Sequence, residues 1–312
     1  YQDITSVCTI FPRLPSEVTM VKVVRSSTTR NEDFLENLFY ATNHNWLLVF
    51  TEKGKCFWLR VFEIAEGGKT SKGRAIQNLV NIEPDDKVKA FICTQDLKDA
   101  DYVNSNYVLM VTKKGQTKKT SLEQYSRPRT NGINAITIKE DDELLEAKLT
   151  DGNSQILIGL KSGKAIRFEE SKTRPMGRNA SGVRGITLAN DNDEVIGMVC
   201  VNDMESEILV VSQKGYGKRS SLEDYRITNR GGKGVKTINI TDKTGGLVAI
   251  KNVAKFSTQI TKGSTSTAQR IMPLHSGSAR VACSTACQAD KKRCSAAREG
   301  LSTSIWARST FA

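Results

Sequence analysis

The chain has 312 residues, 38% of them hydrophobic and 26% charged, a composition that suits a soluble globular fold with length for one large or two ordinary domains. No run nears the roughly eighteen apolar residues of a membrane-crossing helix, and two histidines, His44 and His275, leave little material for histidine-based metal or acid–base chemistry. A formal charge of +12 with a pI near 9.3 points to a polyanionic partner, and seven scattered cysteines point to reduced thiols in a cytoplasmic protein rather than a disulfide framework.

The opening, YQDITSVCTIFPRLP, lacks the basic-then-apolar layout of a signal peptide and starts without Met, so a fragment is expected. From about residue 33 the chain repeats. Four segments share one plan: an apolar strand, a glycine turn beside lysine, a returning basic or aromatic strand, then a second basic glycine turn, a short alternating strand and an acidic turn. They begin WLLVFTEKGKCFWLRVFEI, YVLMVTKKGQTKKTSLEQY, ILIGLKSGKAIRFEESK and ILVVSQKGYGKRSSLEDY. The first-turn glycines are Gly54, Gly115, Gly163 and Gly215. The second-turn glycines Gly73, Gly132, Gly182 and Gly234 follow them by 19, 17, 19 and 19 residues. Glycine accepts the positive φ of a tight hairpin, and the flanks show no sustained 3.6-residue period. Units starting roughly fifty to sixty residues apart have the length of a four-stranded blade. The body is therefore predicted to be all-β, with four complete blades and a hairpin at each first-turn glycine.

The last second turn, NRGGKGVKTI at Asn229–Ile238, invites a nucleotide-loop reading that its spacing refuses. A Walker loop needs glycine directly before the Lys-Thr pair, where Val235 stands, and the dinucleotide pattern lacks its third glycine. Val235, Ile238 and Ile240 leave the glycines as a strand would. Tyr125 and Tyr225 follow LEQ and LED at equivalent positions, which points to a structural role.

Charge is segregated. The windows 53–74, 113–129, 161–184 and 214–236 hold 26 basic and 7 acidic residues, a net of +19. The rest of the body, 33–253, holds 7 basic and 22 acidic residues, with acidic turns such as EPDDK and KEDDE. A single basic run is usually a solvated face. Four in register point to a track for phosphates, where lysine and arginine release counterions without reading sequence.

Residues 254–312 break the pattern: 27 of these 59 are Ser, Thr or Ala, with nine Lys/Arg against two Asp/Glu and no sustained period. Cys283, Cys287, Cys294 and His275 have poor spacing for a zinc site, so no metal is expected.

The segments QKGYGKRSSLEDYRITNRGGKGVKTI, RPMGRNASGVRGI and KKTSLEQYSRPRTNGINAI closely resemble the C-terminal domain of the A subunit of bacterial DNA gyrase, a type IIA DNA topoisomerase. STTRNEDFLENLFYATNHN and SKGRAIQNLVNIEPDD fit the same family, and the likeness covers about residues 27–253. The resemblance implies a β-pinwheel, a propeller-like disc of four-stranded blades, six in the family, that wraps duplex DNA around a basic rim. Wrapping there supports ATP-dependent negative supercoiling by the holoenzyme. Its implied partners are double-stranded DNA, the N-terminal domain of the gyrase A chain and the B subunit in an A2B2 holoenzyme, with no membrane. ATP and Mg2+ belong elsewhere in that holoenzyme, so neither a cofactor nor a catalytic site is expected in this chain. The A chain of topoisomerase IV is the close alternative.

Two departures shape the expectations. The family's Q-R-R-G-G-K-G box belongs in the first blade, where this chain reads LPSEVTMVKVVRSS without a glycine; NRGGKG lies in what should be the fifth blade. Residues 1–30 are therefore expected to be a degenerate, frameshifted remnant of a first blade. Residues 31–253 are expected to form the β-pinwheel DNA-binding domain, and 254–312 a basic tail, disordered or frameshifted, in place of a last blade. The rim is expected to bind DNA but wrap it poorly. Residues at or near the second turns and on the returning strands are the predicted DNA contacts: Lys72, Arg74, Lys118, Lys119, Arg127, Arg129, Arg178, Arg184, Lys218, Arg219, Arg230, Lys233 and Lys236. A protein-interaction propeller with an incidental basic rim is the competing class, separable by the salt dependence of duplex binding.

Overall fold

A computed structural model describes residues 5–13, 18–24, 37–66 and 74–253, with side chains from Ala41 onward. Among the described residues the fold is all-β apart from one short helix and several 3-10 turns. The strands are β1 (Thr5–Arg13), β2 (Val18–Val24), β3 (Asn37–Thr42), β4 (Trp46–Thr51), β5 (Lys55–Arg60), β6 (Arg74–Ala75) and β7 (Val88–Thr94). They continue with β8 (Tyr107–Thr112), β9 (Gln116–Ser121), β10 (Ile133–Asn134), β11 (Leu144–Thr150), β12 (Gln155–Leu160), β13 (Lys164–Glu169), β14 (Val183–Arg184) and β15 (Val195–Val201). The last are β16 (Glu207–Ser212), β17 (Gly217–Ser221), β18 (Val235–Lys236) and β19 (Leu247–Val253).

Each repeat is a hairpin, a two-residue strand and a long strand. The hairpins turn where the sequence predicts. Gly54, Gly115, Gly163 and Gly215 have φ of 82°, 81°, 79° and 83°, and each N–H donates to the carbonyl three residues back at 3.0 Å. The long strand pairs with the first strand of its own hairpin, as β7 does with β4.

The short strand leaves its own repeat. β10, β14 and β18 pair with β5, β9 and β13, the hairpins of the preceding repeats. The sheet orders are β10-β5-β4-β7, β11-β8-β9-β14 and β15-β12-β13-β18, with β17-β16-β19 having three strands. The second-turn glycines make this exchange possible: Gly234 has φ of 72°, and a Cβ there would lie 2.7 Å from the Ala165 carbonyl oxygen.

Within residues 1–30, read from the sequence as a degenerate remnant, Thr5–Arg13 and Val18–Val24 form two paired strands of a further sheet, β3-β1-β2-β6. The sequence reading weighed the missing glycine box; the β-branched runs TSVCTIF and VTMVKVV carry strand propensity without it. The tail 254–312, Lys72, Gly73, His275 and the cysteines Cys283, Cys287 and Cys294 lie outside the described residues.

The central strands β4, β8 and β12 are apolar without alternation because their sheets are covered on both faces, whereas β16 alternates, with Ile208 and Val210 buried and Leu209 and Val211 half-buried. Leu47 and Val49 pack with Ala41 and Ile76 on one side, while Leu48 and Phe50 pack with Val108 and Met110 of the next hairpin. Leu109 and Val111 then meet Ile156 and Ile158, and Leu157 meets Ile208 and Val210. Tyr125 and Tyr225 are buried in these layers. The helix, Ala100–Ser105, starts at Asp99, whose carboxylate accepts from the N–H groups of Asp101 and Tyr102 at 3.1 and 3.2 Å.

Candidate nucleic-acid interface

Acidic turns lie against the hairpin tips of their own repeats. Lys53 is paired with Asp85 and with Glu83, the latter at 3.6 Å, and Lys55 with Glu83. Lys113 pairs with Glu143, and Lys161 with Glu194 at 2.8 Å. Hydrogen bonding from Lys55 and Lys53 holds the Glu83 and Asp85 carboxyls below their ordinary values, and Asp85 raises Lys53. Beneath these pairs, Asp86, Asp142 and Asp193 accept from the backbone N–H groups of Lys53, Lys114 and Ser162 at 3.1, 2.9 and 3.0 Å. Sequence windows pooled these hairpin lysines with the rest, but the fold gives them local counter-charges.

Apart from Lys114 and Lys214 at the tips, the exposed charge without such counter-ions is richest at the second turns. Arg74, Arg127, Arg129, Arg184, Arg230, Lys233 and Lys236 are exposed, and Arg178 is half-buried. Hydrogen bonds join successive second turns in series. Thr137 donates its N–H to Ala180 at 3.2 Å and its hydroxyl to Asn179 at 2.7 Å. Gly231 N–H donates to Gly185 O at 2.6 Å, and the Thr187 hydroxyl to Gly231 O at 2.6 Å. The Arg230 guanidinium braces the same seam, donating to Lys172 O at 3.0 Å and Arg184 O at 3.2 Å. Around the last turn a shallow cleft is lined by Arg226, Thr228, Gly232, Lys233 and Gly234 over a floor of Ala165, Ile166 and Arg167. Arg226 is exposed there. Its place in a basic window was the signal available for it, and the glycine-centred reading passed it over.

Four predicted contacts are placed differently. Positions three and four after the hairpin glycine face the next repeat's second turn and 3-10 turn. Lys118 is fully buried; its ammonium donates to Ala135 O at 2.6 Å and Arg178 O at 2.5 Å. Burial, assisted by the nearby Arg178 charge, pulls its pKa down to about 8. Lys119, 4% exposed, pairs with the buried Glu170 at 2.9 Å and sits 4.1 Å over the Tyr107 ring. The equivalent Arg167 donates to the carbonyls of Leu222 and Tyr225 at 2.7 and 2.9 Å, and Trp58 to Tyr125 O at 2.9 Å. Lys118 and Lys119 therefore join repeats instead of facing solvent. On β17, Lys218 and Arg219 are exposed, with Lys218 donating to Thr237 O at 3.3 Å and Arg219 paired with Glu207.

No group of three or more metal-ligating side chains occurs among the described residues. Cys56 and Cys93 are pushed up by burial, and Cys200 to about 12, which keeps these thiols from being nucleophiles at neutral pH.

The chain matches the family model described as DNA gyrase C-terminal domain, beta-propeller, at residues 45–95, 106–151, 161–202 and 206–254, one match per repeat. The DNA gyrase A chain of Staphylococcus epidermidis is 42% identical over 231 residues, covering 74% of this chain and 25% of that protein. Its Staphylococcus aureus counterpart is likewise 42% identical, over 74% of this chain and 26% of its own length. The chain thus spans about a quarter of these relatives. Among solved structures, a C-terminal domain of DNA topoisomerase IV matches with a TM-score of 0.68 at 23% identity, covering 80% of this chain and 78% of that one. A DNA gyrase A C-terminal domain matches at 0.62 and 18%, covering 81% and 83%. With one family match on each hairpin repeat and the exchanged strands seated at the second turns, the chain belongs to the DNA gyrase C-terminal domain family.

Proposed function

We propose that this chain binds duplex DNA without sequence preference along its seam of second turns, as the C-terminal part of a gyrase A chain. The carrying observation is that exposed basic side chains collect at second turns joined by hydrogen bonds, while the hairpin lysines Lys53, Lys55, Lys113 and Lys161 carry local counter-charges. Phosphate contacts of this kind give affinity that falls steeply with salt and carries no base readout. In the holoenzyme, with the N-terminal domain of the A chain and the B subunit supplying strand passage and ATP hydrolysis, bound DNA is wrapped and negatively supercoiled in the cytoplasm. The family box is missing from residues 14–27, so binding is expected to be stronger than wrapping. Two unrelated duplexes of equal length should bind this chain with equal affinity, and ligation of nicked circles with bound protein should give a small linking-number change. Affinities that differ tenfold between the duplexes would overturn the absence of sequence preference, and insensitivity to salt would argue for an interaction module instead.

A further inference from the structure

We propose that Lys118 is a positioning residue for DNA binding: from inside the fold it fixes the turn that carries Arg178 without touching DNA itself. This rests on the DNA-binding reading above and adds a residue to it.

The ammonium of Lys118 is shared by two carbonyls from different repeats, Ala135 O of its own second-turn strand and Arg178 O of the following second turn. The fold does not demand a cation there. At the same offset from the hairpin glycine stand Phe57 and Ile166, which meet the next second turn with apolar contacts. Burying an ammonium is unfavourable unless hydrogen bonds compensate, so its benefit lies in what the bonds hold. Within the turn 176–180, Met176 and Ala180 are half-buried, and a Cβ added at Gly177 would meet nothing within 4 Å. Polar tethers fix its backbone as well. Met176 N–H donates to Lys119 O at 2.8 Å, Arg178 N–H to Gln124 Oε1 at 3.0 Å, and the Thr137 hydroxyl to Asn179 O at 2.7 Å. Lys218 repeats half of the device, bonding Thr237 O, the counterpart of Ala135 O.

A turn loosened at Arg178 must be ordered on binding, which weakens affinity while leaving the number of phosphate contacts unchanged. The test uses the full chain with Lys118→Met, which keeps the volume and removes the donor. The folded variant should bind a 40-base-pair duplex about 3- to 10-fold more weakly, with the salt slope unchanged. Amide exchange at residues 177–180 should be faster. In an Arg178→Ala background the same change should have no further effect on affinity. Unchanged affinity in folded Lys118→Met would overturn the proposal. So would a slope smaller by about one, which would make Lys118 a phosphate contact. Should Lys118→Met not fold, Thr137→Val at an exposed site cuts a tether of the same turn, and unchanged affinity there would overturn the idea equally. Absence of duplex binding by the unmodified chain would instead remove the functional reading.

Discussion

Three and four residues past Gly115, Lys118 and Lys119 are two cations that read as surface charge and fold inward. Lys118 titrates near pH 8 when folded and near 10.5 when unfolded, so the unfolded state holds more protons between these values. Its burial penalty is fully present below pH 8 and is relieved as pH rises towards 10.5. The neutral amine still donates to both carbonyls. The melting temperature of the unmodified chain relative to Lys118→Met should therefore climb between pH 7.5 and 9.5, followed by calorimetry; a flat or falling difference would show that the ammonium is not desolvated. Glu170 is the complementary case, fully buried and accepting from Lys119, from the Thr150 hydroxyl at 2.7 Å and from Ser154 N–H at 3.2 Å. Glu170→Gln leaves Lys119 uncompensated and should cost about 3–5 kcal/mol in denaturant unfolding. Adding Lys119→Met should recover most of that loss.

At the scale of elements, glycine placement decides where strands turn and where they can be exchanged. Gly163 has φ of 79°, and a Cβ there would lie 2.7 Å from the Ile238 carbonyl oxygen. Gly163→Ala should lower stability by well over 1 kcal/mol. Gly177→Ala, with nothing near the added methyl, should stay within about 0.5 kcal/mol. Equal losses in thermal unfolding would refute this account of the turns. The hairpins were legible because strand, lysine, glycine and returning strand recur in order. The exchange of short strands was not. Val183–Arg184 and Val235–Lys236 are two residues long, and no local preference names the hairpin they join. Lys118, Lys119, Arg127 and Arg129 looked alike for the same reason: burial at the first pair depends on a partner in the next repeat, far along the chain, Arg178 or Glu170.

Across the whole molecule, stability should pass from each sheet to its neighbours, as in repeat proteins. Deleting residues 1–30 removes β1 and β2 and leaves β3 and β6 without the strands they pair with. Amide exchange should then rise through β3–β5 and stay near the parent value in β12–β19. Uniform exchange throughout would mean that the sheets unfold as one unit. Electrostatics is also set at this scale, because acidic turns fold back onto the first three hairpin tips, pairing Lys53, Lys113 and Lys161, and leave the second turns as the main group of available cations. That division is the centre of the account, and the salt dependence of duplex affinity tests it most directly. Arg230→Ala with Lys233→Ala should weaken binding to all sequences and flatten the plot of log affinity against log salt by about two units. Lys53→Ala with Lys161→Ala, at the ion-paired tips, should leave that slope unchanged. The reverse pattern, with the tip pair flattening the slope and the second-turn pair leaving it intact, would contradict the assignment of DNA to the second turns.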